Sequence, residues 1–160
     1  MGARLTAHYN TKSAPLEPLV QEFGPDRIHT FQADLTSEDA VKALFSNAAT
    51  SPFGVIQVAV INHAYYDARD VPLAEMSLEQ WESTFRTNVT SSFLVAREYL
   101  RTLKLAGLDA REKAAIVLVG STAGKFGEAG HADYAATKSG EHLSDTFSCT
   151  RAMLTRMLIW

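Results

Sequence analysis

The chain has 160 residues, of which 46% are hydrophobic and 21% charged, with a formal net charge of −3. That size and balance suit one globular domain with a real core and exclude a disordered tail, while the mild acidity and the lack of a basic stripe exclude a nucleic-acid footprint. One cysteine, Cys149, excludes an internal disulfide framework and fits a reducing, cytoplasmic setting, and no apolar run approaches the roughly 18–20 residues that span a bilayer.

From the N-terminus, Arg4 to Tyr9 reads as a strand ending in the polar run Asn10-Thr11-Lys12-Ser13. No apolar leader precedes it, so the loose myristoylation match at Met1-Gly2 and the sequon Asn88-Val89-Thr90 carry no weight. Pro15 to Phe23 reads as a short helix stopped by Gly24-Pro25, and Arg27 to Ala33 as a second strand. Thr36 or Ser37 caps the next helix, with Glu38 and Asp39 in its first turn and Val41, Leu44 and Phe45 at helical spacing. Gly54 to Ile61 is a near-continuous apolar run, as expected of a strand buried on both faces in a parallel sheet. After a loop over 62–76, the capping box Ser77-Leu78-Glu79-Gln80 opens one long helix to about Lys104, with Trp81, Phe85 and Phe93 as core or interface positions. Ala114 to Val119 is another buried strand, 120–130 a glycine-bearing loop, and Ala132 the start of a further helix.

Strands alternating with helices imply βαβ units, hence an α/β fold with a parallel sheet. In such sheets ligands sit beyond the carboxyl ends of the strands. The loops to search are therefore 10–13, 34–36, 62–66 and 121–130.

Tyr134 and Lys138 are an i, i+4 pair on one helix face. A cation beside a phenol favours the phenolate and lowers a pKa that is near 10 when free. Such a tyrosine can exchange a proton with an alcohol or carbonyl oxygen. Ser121, 13 residues earlier at the exit of a buried strand, can hydrogen-bond the same oxygen, and Gly124, Gly127 and Gly130 let the intervening loop turn closely over the strand end. A second arrangement, Ser121 with His131 and Asp133 as a hydrolase triad, lacks the Gly-x-Ser-x-Gly elbow. The histidines show no metal-ligand spacing, so no metal is expected.

Gly120-Ser121-Thr122-Ala123-Gly124 followed by Tyr134-x-x-x-Lys138 resembles the catalytic segment of the short-chain dehydrogenase/reductase family, in particular its members similar to 3-oxoacyl-ACP reductases. Asp34-Leu35-Thr36 resembles the family's adenine-contacting aspartate, Asn62-His63-Ala64 its Asn-Asn-Ala-Gly turn, and Asn88 its helix asparagine. The resemblance runs from about Gly2 to Gly140. It implies a Rossmann-like, doubly wound parallel sheet and an oxidoreductase that moves hydride between a nicotinamide and a small carbonyl or secondary alcohol. By it Tyr134 is the general acid/base, Ser121 orients the substrate oxygen, Lys138 lowers the tyrosine pKa and binds the ribose, and Asn88 completes the tetrad. Cofactor contacts fall to Asn10, Lys12, Asp34, Leu35, Asn62, Ala64, Tyr134 and Lys138. NAD enzymes of this kind carry an acid after the strand that ends here at Tyr9. Asn10-Thr11-Lys12 has none, and Lys12 suits a 2′-phosphate, so NADP(H) is favoured over NAD(H).

The resemblance also has gaps. The family's first strand, its Gly-x-x-x-Gly-x-Gly turn and its C-terminal strands have no counterpart, so the sheet is expected to be incomplete, and the chain a truncated product. Residues 1–140 are read as the partial cofactor domain and 141–160 as a divergent tail with helical spacing at Leu143, Phe147, Leu154 and Leu158, frayed rather than membrane-bound. Tyr65 stands at the glycine position of the Asn-Asn-Ala-Gly-like turn and is expected to crowd the adenosine or to force a different turn. An alternative role is a silent partner of a full-length relative, joined through the helices bearing Asn88 and Tyr134.

Overall fold

The computed structural model describes residues 2–140 and the backbone of 156–159. In chain order it forms β1 (Leu5–Tyr9), a 3-10 turn (Ala14–Leu16), α1 (Glu17–Phe23), β2 (Ile28–Gln32), α2 (Glu38–Thr50), β3 (Val58–Ile61) and a 3-10 turn (Leu73–Glu75). There follow α3 (Leu78–Phe85), a π turn (Arg86–Thr90), α4 (Ser91–Leu105), α5 (Leu108–Glu112), β4 (Ala115–Leu118), α6 (Ala123–Phe126), α7 (Ala132–Gly140) and β5 (Arg156–Ile159). Each strand pairing is parallel, and the strands fall into two sheets, β1-β2 and β3-β4-β5. This is the α/β architecture expected, with the sheet incomplete.

Local signals account for most of the boundaries. Gly24, at φ 79°, ends α1 in a conformation that a side chain would resist. The Ser37 hydroxyl accepts the Ala40 N–H at 3.3 Å and starts α2, whose Val41, Leu44 and Phe45 are buried. Ser77 caps α3 by accepting the Gln80 N–H at 3.1 Å, but the capping box is only half formed, because the Gln80 amide turns to Asp133 Oδ2 at 3.3 Å. One core unites α2, α4, β3 and β4 through residues such as Leu44, Ile61, Leu94, Tyr99 and Ile116. The Tyr99 hydroxyl donates to Gln57 O and accepts from Ala115 N, tying the entries of β3 and β4; burial pushes this phenol up to about 12, so it stays a neutral donor.

Three expectations are corrected. The apolar run at 54–61 forms only a short strand with alternating burial, leaving Val58 51% and Val60 62% exposed, because no helix among the described residues covers that face. The long helical stretch expected after Ser77 runs without a break to Leu105, and the π turn within it carries Asn88 into the interior. The 120–130 loop contains α6, and α5 forms at Leu108–Glu112. In the tail, Leu158 belongs to a strand rather than a helix: β5 pairs with β4, with Leu158 opposite Val117. Leu143, Phe147, Cys149 and Leu154 lie outside the described residues.

Gly124 positions α7 against α6. A Cβ there would sit 2.5 Å from the Lys138 carbonyl oxygen and 2.9 Å from Ser139 N, so α6 and α7 meet backbone to backbone, and the Ser139 hydroxyl donates to Gly124 O at 2.6 Å. Gly124→Ala should therefore push α7 away and cost about 1–3 kcal/mol, despite alanine's better helix propensity. Urea unfolding measures this, and unchanged or raised stability would refute the close-packing account.

Candidate active site

Because the strands of each sheet run the same way, the segments after β3 and β4 meet at one edge. They are joined there by several contacts. Val71 N–H donates to Gly130 O at 2.9 Å, and the buried His131 donates from Nε2 to Asp70 Oδ1 at 3.0 Å. Tyr66 packs tilted against His131 with centroids 4.2 Å apart and meets Tyr134 edge-on at 5.0 Å. Gly130, at φ 76°, allows the approach, since a Cβ there would lie 2.8 Å from the Asp70 Cβ.

Tyr134 and Lys138 sit one turn apart on α7, as their spacing requires. Lys138 is 4% exposed, and its Nζ donates to Val119 O at 2.9 Å, at the exit of β4. This bond ties the helix to the strand end two residues before Ser121. The Ser121 Oγ accepts the Ala123 N–H at 3.2 Å, which leaves its own hydrogen for another acceptor. The foot of α7 is anchored separately: the buried Asp133 accepts from Thr84 Oγ1 at 2.7 Å and from Gln80. His131 and Asp133 thus face Asp70 and Thr84 respectively, and no Ser-His-Asp chain forms with Ser121 among the described residues.

Asn88 is fully buried in the π turn. Its Oδ1 accepts the Tyr65 N–H at 2.6 Å, and its Nδ2 donates to Tyr65 O at 3.0 Å and to Thr137 Oγ1 at 3.1 Å. Both amide hydrogens are thereby used, clamping the loop after β3 to the face of α7. Tyr65 forces no strained turn: among the described residues no non-glycine has positive φ. Its side chain turns outward to Asp67.

Asn10, Lys12, Asp34, Asn62 and Ala64 are all exposed, whereas Leu35 is buried in the core. Asn10, Lys12 and Asp34 stand at the end of the β1-β2 sheet. Asp34 Oδ1 accepts both the backbone N–H and the hydroxyl of Thr36, at 2.9 and 2.8 Å, which holds its carboxyl below the ordinary range. His63 is the residue whose role the sequence did not disclose. Its Nε2 lies 2.6 Å from Ser91 Oγ, whose hydroxyl donates to Thr87 O, so Nε2 carries the proton. Burial, then the nearby His8 and Lys138, lower its pKa to about 4.

The sequence profile described as short chain dehydrogenase matches residues 1–157. The chain is 34% identical over 107 residues to the 3-oxoacyl-(acyl-carrier-protein) reductase FabG of Vibrio cholerae serotype O1, covering 67% of this chain and 41% of that protein. It is 31% identical over 132 residues to nodulation protein G of Rhizobium meliloti, covering 82% and 50%. The chain thus spans about half, or less, of the length of these relatives. Among solved structures, a short-chain dehydrogenase/reductase (glucose/ribitol dehydrogenase) from Brucella melitensis superposes with a TM-score of 0.79 at 27% identity, covering 97% of this chain and 61% of that one. A short chain dehydrogenase from Mycobacterium smegmatis gives a TM-score of 0.81 at 21% identity, covering 94% and 61%, a likeness of fold alone.

The donor set at Tyr134 and Lys138 suits sugar hydroxyls and a substrate oxygen. A pyrophosphate finds no matching glycine turn between a strand end and a helix start among the described residues: Gly24 and Gly54 precede strands, and Gly127 and Gly130 lie between α6 and α7.

His63 makes stability pH-dependent with a definite sign. Unfolded, histidine titrates near 6.5; folded, His63 titrates at about 4. Between those values the unfolded chain binds more protons, so this contribution is complete above pH 6.5 and is lost as pH falls toward 4. From pH 7.5 to 4.5, urea unfolding should show a loss of about 2.5 kcal/mol that His63→Asn lacks. Equal losses in both proteins would exclude His63 as the source.

Proposed function

The chain belongs to the short chain dehydrogenase family, and on that premise we propose that it serves as an NAD(P)-dependent oxidoreductase of small carbonyls or secondary alcohols, with NADP(H) favoured. One observation carries the reading. The Lys138 ammonium is buried and held on Val119 O at the exit of β4, one helical turn from Tyr134 and beside the strand-end Ser121.

In this reading Tyr134 gives a proton to the substrate oxygen in reduction and takes it back in oxidation. Ser121 donates a hydrogen bond to the same oxygen, and Lys138 holds ribose hydroxyls. When bound, a nicotinamide supplies or accepts the hydride. Asn88 is a positioning residue, acting through Tyr65 and Thr137. Asn10, Lys12, Asp34, Leu35, Asn62 and Ala64 line the adenosine side, with Lys12 toward a 2′-phosphate. Residues 1–140 form the partial cofactor domain in this proposal. Pairing with a second subunit through the helices bearing Asn88 and Tyr134 belongs to the same reading, with the exposed Leu78 and Phe93 offering apolar contact.

NADPH titration of the 160-residue chain, followed by fluorescence or calorimetry, should show saturable binding, and no binding by a folded chain would sink the proposal for this chain. Tyr134→Phe should lower carbonyl reduction by about 10²–10⁴-fold, the usual weight of a general acid, with NADPH affinity unchanged. A substitution without effect on turnover would remove Tyr134 from the chemistry. Lys12→Glu should weaken NADPH binding about tenfold, the equivalent of one lost charge contact near the surface, and leave NADH binding unaltered. Equal effects on both cofactors would show that Lys12 does not read the 2′-phosphate.

A further inference from the structure

The loop after β3 carries two tyrosines in a row, and the fold uses them differently. Tyr65 is taken: Asn88 holds its backbone, and its hydroxyl donates to Asp67 Oδ2 at 3.3 Å. Tyr66 turns onto the start of α7 instead. It has no part in the proton transfer proposed above, and its hydroxyl has no hydrogen-bond partner among the described residues.

The ring of Tyr66 is held as a platform. It lies against the His131 imidazole, with centroids 4.2 Å apart and planes 30° from parallel, and meets the Tyr134 ring at 90° and 5.0 Å. His131 is 2% exposed and cannot give way, since its Nε2 is bound to Asp70 and the neighbouring Gly130 carbonyl takes the Val71 N–H. With these two sides occupied, 48% of Tyr66 is still exposed, and no further ring meets it among the described residues. Rings gain most from one another when offset-stacked or edge-to-face at such separations. An aromatic side chain already fixed by its neighbours binds a flat partner with little further loss of freedom.

The charges around this ring are of one sign. Partial desolvation first, then Glu128 and Asp70, push the Tyr66 phenol up, so the hydroxyl stays neutral beside two carboxylates. Among the described residues Glu128 has no cationic partner, Asp70 has only His131, and the arginine of the loop, Arg69, pairs with Asp67. A carboxylate or phosphate brought against Tyr66 would meet like charge, whereas a neutral ring would not. Tyr134 is where the reacting oxygen binds in the oxidoreductase reading, so a group attached next to that oxygen comes within reach of Tyr66.

Resting on that reading, we propose that Tyr66 is a specificity-determining residue: its exposed side takes an uncharged aromatic ring joined to the reacting carbonyl or carbinol carbon, and Glu128 and Asp70 turn away anionic counterparts. The substrate class is then neutral aryl aldehydes, aryl ketones and benzylic alcohols.

Three alcohols test this without cofactor or turnover: benzyl alcohol, its saturated counterpart cyclohexylmethanol, and para-(hydroxymethyl)benzoate. Each is titrated into the 160-residue chain and followed by NMR at the ring protons of Tyr66 and Tyr134. Benzyl alcohol should shift both sets and bind about three- to tenfold more tightly than cyclohexylmethanol, the weight of one aromatic pair. The benzoate should bind at least about threefold more weakly than benzyl alcohol, and Glu128→Gln should narrow that gap. Tyr66→Leu should erase the preference for the ring and Tyr66→Phe should keep it, which separates stacking from a merely structural contribution. Equal binding of the ring and its saturated counterpart, equal binding of the benzoate, shifts that spare Tyr66, no binding up to the solubility limit of benzyl alcohol, or a preference that survives in Tyr66→Leu would each overturn the proposal. A chain that binds NADPH and loses turnover with Tyr134→Phe, yet shows no preference for the ring, sinks this inference alone. A chain that prefers the ring at Tyr66 but binds no NADPH sinks the oxidoreductase reading and leaves Tyr66 as a ring-binding surface.

Discussion

The buried amide of Asn88 is the contact on which the geometry of the candidate site depends. It answers both backbone groups of Tyr65 and the hydroxyl of Thr137, and so holds three segments in register: the loop after β3, the π turn and α7. Each hydrogen bond contributes only about 1 kcal/mol net, but removing the amide would strand buried partners at about 1–3 kcal/mol apiece. Thr137 passes the constraint on by donating to Tyr134 O, and Tyr134 and Lys138 flank it on the same helix. The π turn is what directs this asparagine inward; extra residues in a helix turn at functional sites are a recurrent device.

Around that clamp the site is assembled from strand exits. Lys138 on Val119 O fixes α7 against β4, Gly124 lets α6 pass beneath, and Asp133 anchors the foot of α7 to Thr84 on α3. The β1-β2 sheet is joined differently. It meets the rest of the molecule through α2, whose Glu38 bridges to Arg97 of α4 at 2.8 Å, and through Arg4 on Pro52. Asn10, Lys12, Asp34 and Leu35 therefore ride on one sheet, and Asn62, Ala64, Ser121, Tyr134 and Lys138 on the other. No ladder joins the two sheets among the described residues, so their separation is a property of packing.

Much of this was legible in the residues. Period and caps located β1, β2, α1, α2 and the start of α3, because Ser37, Ser77 and Gly24 act through their immediate neighbours. The Tyr134–Lys138 spacing placed both side chains on one face for the same reason. Other features were hidden. An apolar run such as 54–61 records what a strand can bury, not what covers it, and here Val58 and Val60 remain open. The tail's spacing at Leu158 suited a helix, yet β4 offered an edge, and the backbone at Arg156–Ile159 took it. Neither the π turn nor His63 as a neutral donor to Ser91 leaves a local signature, since each depends on residues far away in the chain.

By itself, then, the sequence determined the alternation of strands and helices and the parallel pairing that follows from it, and its motifs resemble those of the family to which the chain belongs. The alternation is short-range: it follows from propensity, capping and fixed spacing. The tertiary structure decided that Asn88 clamps rather than merely accompanies the site, that Tyr66 flanks Tyr134, that His63 is held neutral, and that the described strands fall into two sheets. Those depend on which surfaces meet across tens of residues, where hydrogen-bond satisfaction and burial are settled jointly by distant groups and no single stretch of chain carries the information.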